Sequence, residues 1–207
     1  MKAPYLFILF FILAFALSQC KTDPLNSEEE KLVMEGDANE PMRLFVIDNY
    51  SDSLLLRQKA RNINKKDVNH PQIQHLKKRM LATVTDTLNP GVGIAAPQVG
   101  ASVQMIYVQR FDKENEPFEI YFNPVIEIYG DSINAGMEGC LSIPGYRGRV
   151  ERSQNVSISY IDSTGKHHRE NINDFTAVIF QHEIDHLNGT LYFDHIYNGF
   201  NALLKVE

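Results

Sequence analysis

His182-Glu183-Ile184-Asp185-His186 sets two imidazoles one helical turn apart with a carboxylate between them. Side chains at i and i+4 share a helix face, with roots about 6 Å apart, so both rings reach one ion. Glu183 can then touch a water on that ion without being a ligand, which is the arrangement of metal-assisted hydrolysis. The competing reading is a helix with two surface histidines and a charged pair. Phe175, Val178 and Ile179 on the adjoining face argue for a buried helix, and a metal would justify burying two imidazoles. Two histidines leave a cation short of ligands. The extended pattern H-x-x-G-x-x-H starts at His186 and Gly189, but its last place is Tyr192. Cys140, in Glu138-Gly139-Cys140-Leu141-Ser142, is the best remaining soft ligand; its other reading is a small buried apolar residue.

The elements that must position these groups follow from periodicity. His70–Leu88 reads as a helix, with Pro71 in its first turn and Ile73, Leu76, Met80, Val84 and Leu88 at helical spacing. Val103–Gln109, Phe118–Phe122, Val125–Tyr129 and Val156–Ile161 are rich in β-branched and aromatic residues, as strands are. Asp162-Ser163-Thr164-Gly165 is a hairpin turn leading into Lys166–Ile172. Asn173 or Asp174 caps a second helix that Gly189 stops. The expected fold class is α+β: antiparallel strands packed around a central C-terminal helix that carries H-E-x-x-H, plus an N-terminal helix. Asp194–Glu207 should be a short helix or an irregular tail. His70, His75, His167, His168 and His195 read as surface or capping residues.

Gly91-Val92-Gly93-Ile94-Ala95-Ala96-Pro97-Gln98 is a third segment of note. Its small residues let another backbone come close, and Gln98 offers a neutral donor; alone, it could equally be a loop with a tight turn. Taken in order, GVGIAAPQ, EGCLS and QHEIDHLNG resemble the three motifs of the peptide deformylases, metalloenzymes that remove formyl from N-formylmethionyl peptides. The resemblance runs from about Leu44 to Phe193. It implies metal ligands Cys140, His182 and His186, with Glu183 as general base and then general acid. It implies oxyanion donors at the Gln98 amide and the Leu141 backbone N–H. Gly93 would pair with the substrate peptide and Arg147 would contact it further along. Val92, Gly136, Phe175, Val178 and Ile179 would surround the methionine side chain. Glu138 and Asp185 are candidates for orienting the ligands. The implied cofactor is one divalent ion per chain, Fe²⁺ by family habit, with Zn²⁺ or Ni²⁺ compatible with the ligand types. N-formylated peptides are the implied substrate, and a monomer is expected. The alternatives are a formyl-peptide-binding or structural lipoprotein, and a secreted metallopeptidase.

Composition narrows the field further. With 26 acidic against 20 basic residues the net charge is −6, which argues against a nucleic-acid partner. Two cysteines cannot make a disulfide framework, and the common nucleotide-binding fingerprints are missing. Residues 1–19 hold Lys2 and an apolar run, Tyr5–Leu17. Those residues would span roughly 20 Å as a helix, short of a bilayer core of roughly 30 Å, so a secretory signal fits better than a membrane span. Leu17-Ser18-Gln19-Cys20 resembles the lipobox of bacterial lipoproteins. Cys20 is therefore the expected lipidation site and the protein an extracytoplasmic, membrane-anchored lipoprotein. An uncleaved anchor, a signal cleaved elsewhere with Cys20 as a free thiol, and a cytoplasmic face are the other readings. Residues 20–41 are acidic and interrupted by prolines, and read as a flexible tether. The catalytic domain is expected over 42–207.

Overall fold

The computed structural model describes residues 23–206; the apolar run Tyr5–Leu17 and Cys20 lie outside them. Four helices are described, α1 (Ser27–Met34), α2 (Tyr50–Leu56), α3 (Pro71–Val84) and α4 (Asp174–Leu187). The strands are β1 (Gly93–Ala95), β2 (Met105–Gln109), β3 (Phe118–Tyr129), β4 (Ile133–Cys140), β5 (Ile143–Ser153), β6 (Asn155–Ile161), β7 (His167–Asn173) and β8 (Leu204–Lys205). They form a five-stranded antiparallel sheet in the order β1-β2-β3-β6-β7 and a three-stranded one, β4-β5-β8. The α+β expectation holds.

The two segments expected at 118–122 and 125–129 are one strand, β3, interrupted by a register shift against β6 between Phe122 and Val125. Asn123, at φ 49°, fills the interruption, and its side chain bonds both the N–H and the C=O of Ile63. Helix α3 buries Ile73, Leu76, Met80 and Val84, the stripe that its spacing foretold. It ends at Val84 rather than Leu88, where the Thr85 hydroxyl donates back to the Leu81 carbonyl. The 133–153 region is a long hairpin whose two strands the residue types did not reveal. The tail holds short 3₁₀ turns and β8, which pairs with β5 at Tyr146 and Arg147.

The tether expected over 20–41 is corrected across its described part. Leu25 and Val33 are buried at 3% and 0% exposure in one core cluster with Met42 and α3. Asn26 and Glu29 form a reciprocal capping box at the start of α1. Acidic residues at a helix N-terminus complement its dipole, so Glu28, Glu29 and Glu30 favour a helix there. Composition hid a short amphipathic helix that tertiary packing stabilises.

Helix α4 lies between the sheets and is the element that matters for chemistry. Ala177, Phe180, Ile184 and Leu187 bury one face against the larger sheet. The opposite face carries His182, Glu183 and His186 toward the end of β4.

Candidate metal centre

Helical spacing does what the motif requires: the His182 and His186 rings stand 5.1 Å apart, centroid to centroid. Cys140 comes from the far end of β4, where the pairing with β5 shifts register between Gly139 and Cys140. That irregularity ends the regular ladder and turns the thiol toward α4. Ligand atoms of Cys140, His182 and His186 all lie within 4.8 Å of one another, and Cys140 Sγ is 3.2 Å from His186 Nε2. The Ser142 N–H points at the same sulfur from 3.4 Å.

Hydrogen bonds orient this trio. His182 Nδ1 meets Glu138 Oε2 at 2.8 Å, which leaves Nε2 facing Cys140. Arg152 donates to both Glu138 oxygens, at 2.8 and 3.1 Å, and to Asp185 at 2.6 Å. Burial pushes the Glu138 carboxyl up, but its hydrogen bonds with His182 and Arg152 prevail and hold it down at about 2. His182 is raised well above the ordinary imidazole value: burial opposes this, and contact with Cys140 and Glu138 outweighs it. His186 moves the other way, lowered by burial and by its neighbour His182, which favours the neutral ring. A neutral imidazole is the form that ligates metals.

Glu183 is 4% exposed, and burial pushes its carboxyl up to about 7 despite the opposing pull of His182. Its Oε2, like His186 Nδ1, is buried with no hydrogen-bond partner in the protein. Gly93 lies directly against it: a Cβ at that position would stand 2.5 Å from Glu183 Oε1. Only glycine admits the carboxylate so close to β1. Gln98 occupies a 3₁₀ turn, Ala96–Val99, right after β1. Its Oε1 accepts from the Ala95 N–H at 2.9 Å, which turns the NH₂ toward Ser142 Oγ (3.3 Å) and Cys140 Sγ (3.5 Å).

A cavity of about 510 Å³ opens over these groups. Cys140, His182, Glu183, Gln98 and Leu141 line it, together with Val92, Gly93, Arg147, Phe175, Val178 and Ile179. His186 sits beneath, at 1% exposure. Gly136 is the expected residue that does not belong. It pairs with Val150 on β5, and a Cβ there would meet nothing within 4 Å. Met137 lines the cavity instead, because one step along a strand turns a residue to the other face.

The sequence reading passed over several contributors. Arg152 and Met137 carry no local pattern; Ser142, inside EGCLS, and Tyr192, whose ring stacks 6.1 Å from that of His182, are given no role by that reading. His195, read as a surface or capping residue, is exposed and bonds Asp185 at 2.8 Å. A thiol and two imidazoles are a donor set suited to a divalent cation with one position left open, and the partnerless buried oxygen of Glu183 stands beside it.

The polypeptide deformylase family model matches residues 45–200. Peptide deformylase 2 of Nostoc sp. is 38% identical over 159 residues, covering 73% of this chain and 86% of that protein. The peptide deformylase of Brucella suis is 39% identical over 144 residues, covering 69% and 79% respectively. Among solved structures, a class I type b peptide deformylase from Acinetobacter baumannii with Met-Ala-Ser bound aligns at TM-score 0.68 and 32% identity, over 76% of this chain and 99% of that one. The Thermotoga maritima peptide deformylase aligns at 0.66 and 30%, with the same coverage. The chain belongs to the peptide deformylase family, metal-dependent hydrolases that remove the formyl group from N-formylmethionyl peptides.

Proposed function

We propose that Cys140, His182 and His186 hold one divalent cation, and that Glu183 moves the proton in hydrolysis of the formyl amide. The observation that carries this is the convergence of three ligand atoms within 4.8 Å beside a buried carboxylate with a partnerless oxygen. Fe²⁺, Zn²⁺ and Ni²⁺ all suit the donors, Fe²⁺ being the family's usual ion. Such an ion, when bound, acidifies water and polarises a carbonyl. Glu183 takes a proton from the attacking water as oxygen adds to the formyl carbon. The Gln98 NH₂ and the Leu141 N–H then receive the negative charge that develops on the former carbonyl oxygen. A donor of this kind is typically worth roughly 3–4 kcal/mol of barrier. Glu183 returns the proton to the amine as the C–N bond breaks, releasing formate and a free N-terminus. A carboxyl held near neutrality suits both halves of that transfer.

Gly93 presents backbone to an extended peptide, Val92, Phe175, Val178 and Ile179 accept the methionine side chain, and Arg147 meets the residues that follow. The Met-Ala-Ser bound to the Acinetobacter relative supports a peptide occupant. The enzyme works outside the cytoplasm on free formylated peptides, held to a membrane by lipid on Cys20. The apolar run Tyr5–Leu17 and the lipobox-like Leu17–Cys20 support that placement. Cell fractionation with lipid labelling tests it, and a soluble cytoplasmic pool with intact Met1 would refute it. For the activity, metal-loaded protein should release formate from formyl-Met-Ala-Ser and leave casein intact. Casein cleavage without formate would refute the deformylase reading.

A further inference from the structure

The turn that carries Gln98 is braced from behind by a segment outside the family match. That match begins at residue 45, whereas α1 spans Ser27–Met34. The Acinetobacter structure is covered over 99% of its length by 76% of this chain, so this chain carries additional residues.

Glu29 of α1 is 4% exposed and uses both oxygens. Oε1 accepts from the Ser102 N–H at 2.8 Å and from Arg61 Nη1 at 3.0 Å. Oε2 accepts from Arg61 Nη2 at 2.6 Å and from the Asn26 N–H at 2.9 Å. The Arg61 N–H in turn donates to the Ser102 carbonyl at 2.9 Å. One acid–base pair thus holds both backbone groups of Ser102, four residues after Gln98. Gly100, at φ 86°, closes the turn so tightly against Leu32 and Phe45 that a Cβ would overlap both side chains. The Phe45 N–H donates to the Gln98 carbonyl at 2.8 Å. Arg79 fastens the brace to α3, donating to the carbonyls of Leu32 (3.2 Å) and Val33 (3.0 Å) at the end of α1. A guanidinium at that end also complements the helix dipole.

We infer that Glu29 is a positioning residue: with Arg61 it fixes the 98–102 turn and thereby holds the Gln98 amide where the oxyanion forms. This rests on the reading of Gln98 as an oxyanion donor. Donors of that kind must be in place before reaction, and a shift of about 1 Å can cost about a hundredfold in rate.

A double-mutant cycle on the metal-loaded full chain tests it, with Glu29→Ala, Gln98→Ala and the pair assayed on formyl-Met-Ala-Ser. Glu29→Ala should lower kcat about tenfold with KM within about twofold, and in the Gln98→Ala background it should change kcat by less than about twofold. In the metal-free protein, amide exchange at Ser102 should quicken in Glu29→Ala while α4 amides keep their protection. An unchanged kcat in Glu29→Ala, a loss that multiplies fully in the Gln98→Ala background, or a uniform rise in exchange overturns the inference. An unchanged kcat in Gln98→Ala alone overturns the reading of Gln98 beneath it. If Glu29→Ala does not fold, Leu32→Ala, which opens space behind Gly100, enters the same cycle with the same expected and overturning results.

Discussion

Two arginines are buried among carboxylates in this molecule, and they do different work. Arg110, its side chain 1% exposed, donates to Asp112 and Glu170 and to the Tyr121 hydroxyl, with Glu119 at 3.2 Å. Arg152, its side chain 5% exposed, joins Glu138 to Asp185. Distance and burial barely separate the two. What separates them is where each network ends. The Arg110 network spreads over the larger sheet, to Glu119 and Tyr121 on β3 and Glu170 on β7, and reaches only the first turn of α4, where Thr176 bonds Asp112. The Arg152 network runs through Glu138 to His182, whose free nitrogen faces Cys140. Among the described residues, four buried side-chain atoms lack partners, and two of them, Glu183 Oε2 and His186 Nδ1, are in the metal centre. Buried charge alone is therefore a poor guide to function; buried charge beside unmet hydrogen-bonding capacity is a better one.

The contrast can be broken or sharpened by substitution. The largest effect belongs to the centre: Glu183→Gln should lower kcat at least about a thousandfold, the scale of general acid–base catalysis, while elemental analysis still finds one metal per chain. Arg110→Met should cost stability instead, about 3 kcal/mol by urea denaturation, because Asp112 and Glu170 keep some access to water and lose less than fully buried partners would. Its metal content and kcat should stay within about twofold of the parent, since additivity holds for distant sites. Arg152→Met should cost stability too, its partners being more buried than Asp112 and Glu170, but it should also weaken metal affinity about 10–100-fold, as loss of a ligand-orienting partner typically does. If Arg110→Met changed metal affinity as much as Arg152→Met, the distinction between the networks would fail.

The smallest effect is in acid. The Arg110 hydrogen bond holds the Asp112 carboxyl below its ordinary value. Glu119 is pushed up by burial, but Lys113 and Tyr121 outweigh that and leave it lowered. Carboxyls with depressed folded pKa values add stability above their unfolded values, about 4, and lose it as pH falls through the folded ones. The urea midpoint should therefore drop below about pH 4, and drop less in Arg110→Met. An identical slope in the two proteins would remove the network from the account.

What could be read from residues alone follows the same physics. His182, Glu183 and His186 were legible because one helical turn brings them together. Cys140 stood out as the best remaining soft ligand, while Gln98 and Gly93 took their roles only from the resemblance of GVGIAAPQ to a deformylase motif. Arg152 was not, since its pairing with Glu138 and Asp185 is set by the β4–β5 hairpin and its approach to α4. Gly136 missed by one residue, which on a strand is a change of face. The acidic run at 28–30 hid α1, because average composition conceals the few apolar residues, Leu25 and Val33, that a short helix needs to dock.

The central claim is that one sulfur and two imidazoles share a cation. X-ray absorption at the metal edge of the purified full chain tests it most directly. The account predicts one sulfur at about 2.3 Å and two nitrogens at about 2.0–2.1 Å, with the sulfur lost in Cys140→Ser. A shell made of oxygen alone, or one whose sulfur persists in Cys140→Ser, would contradict it.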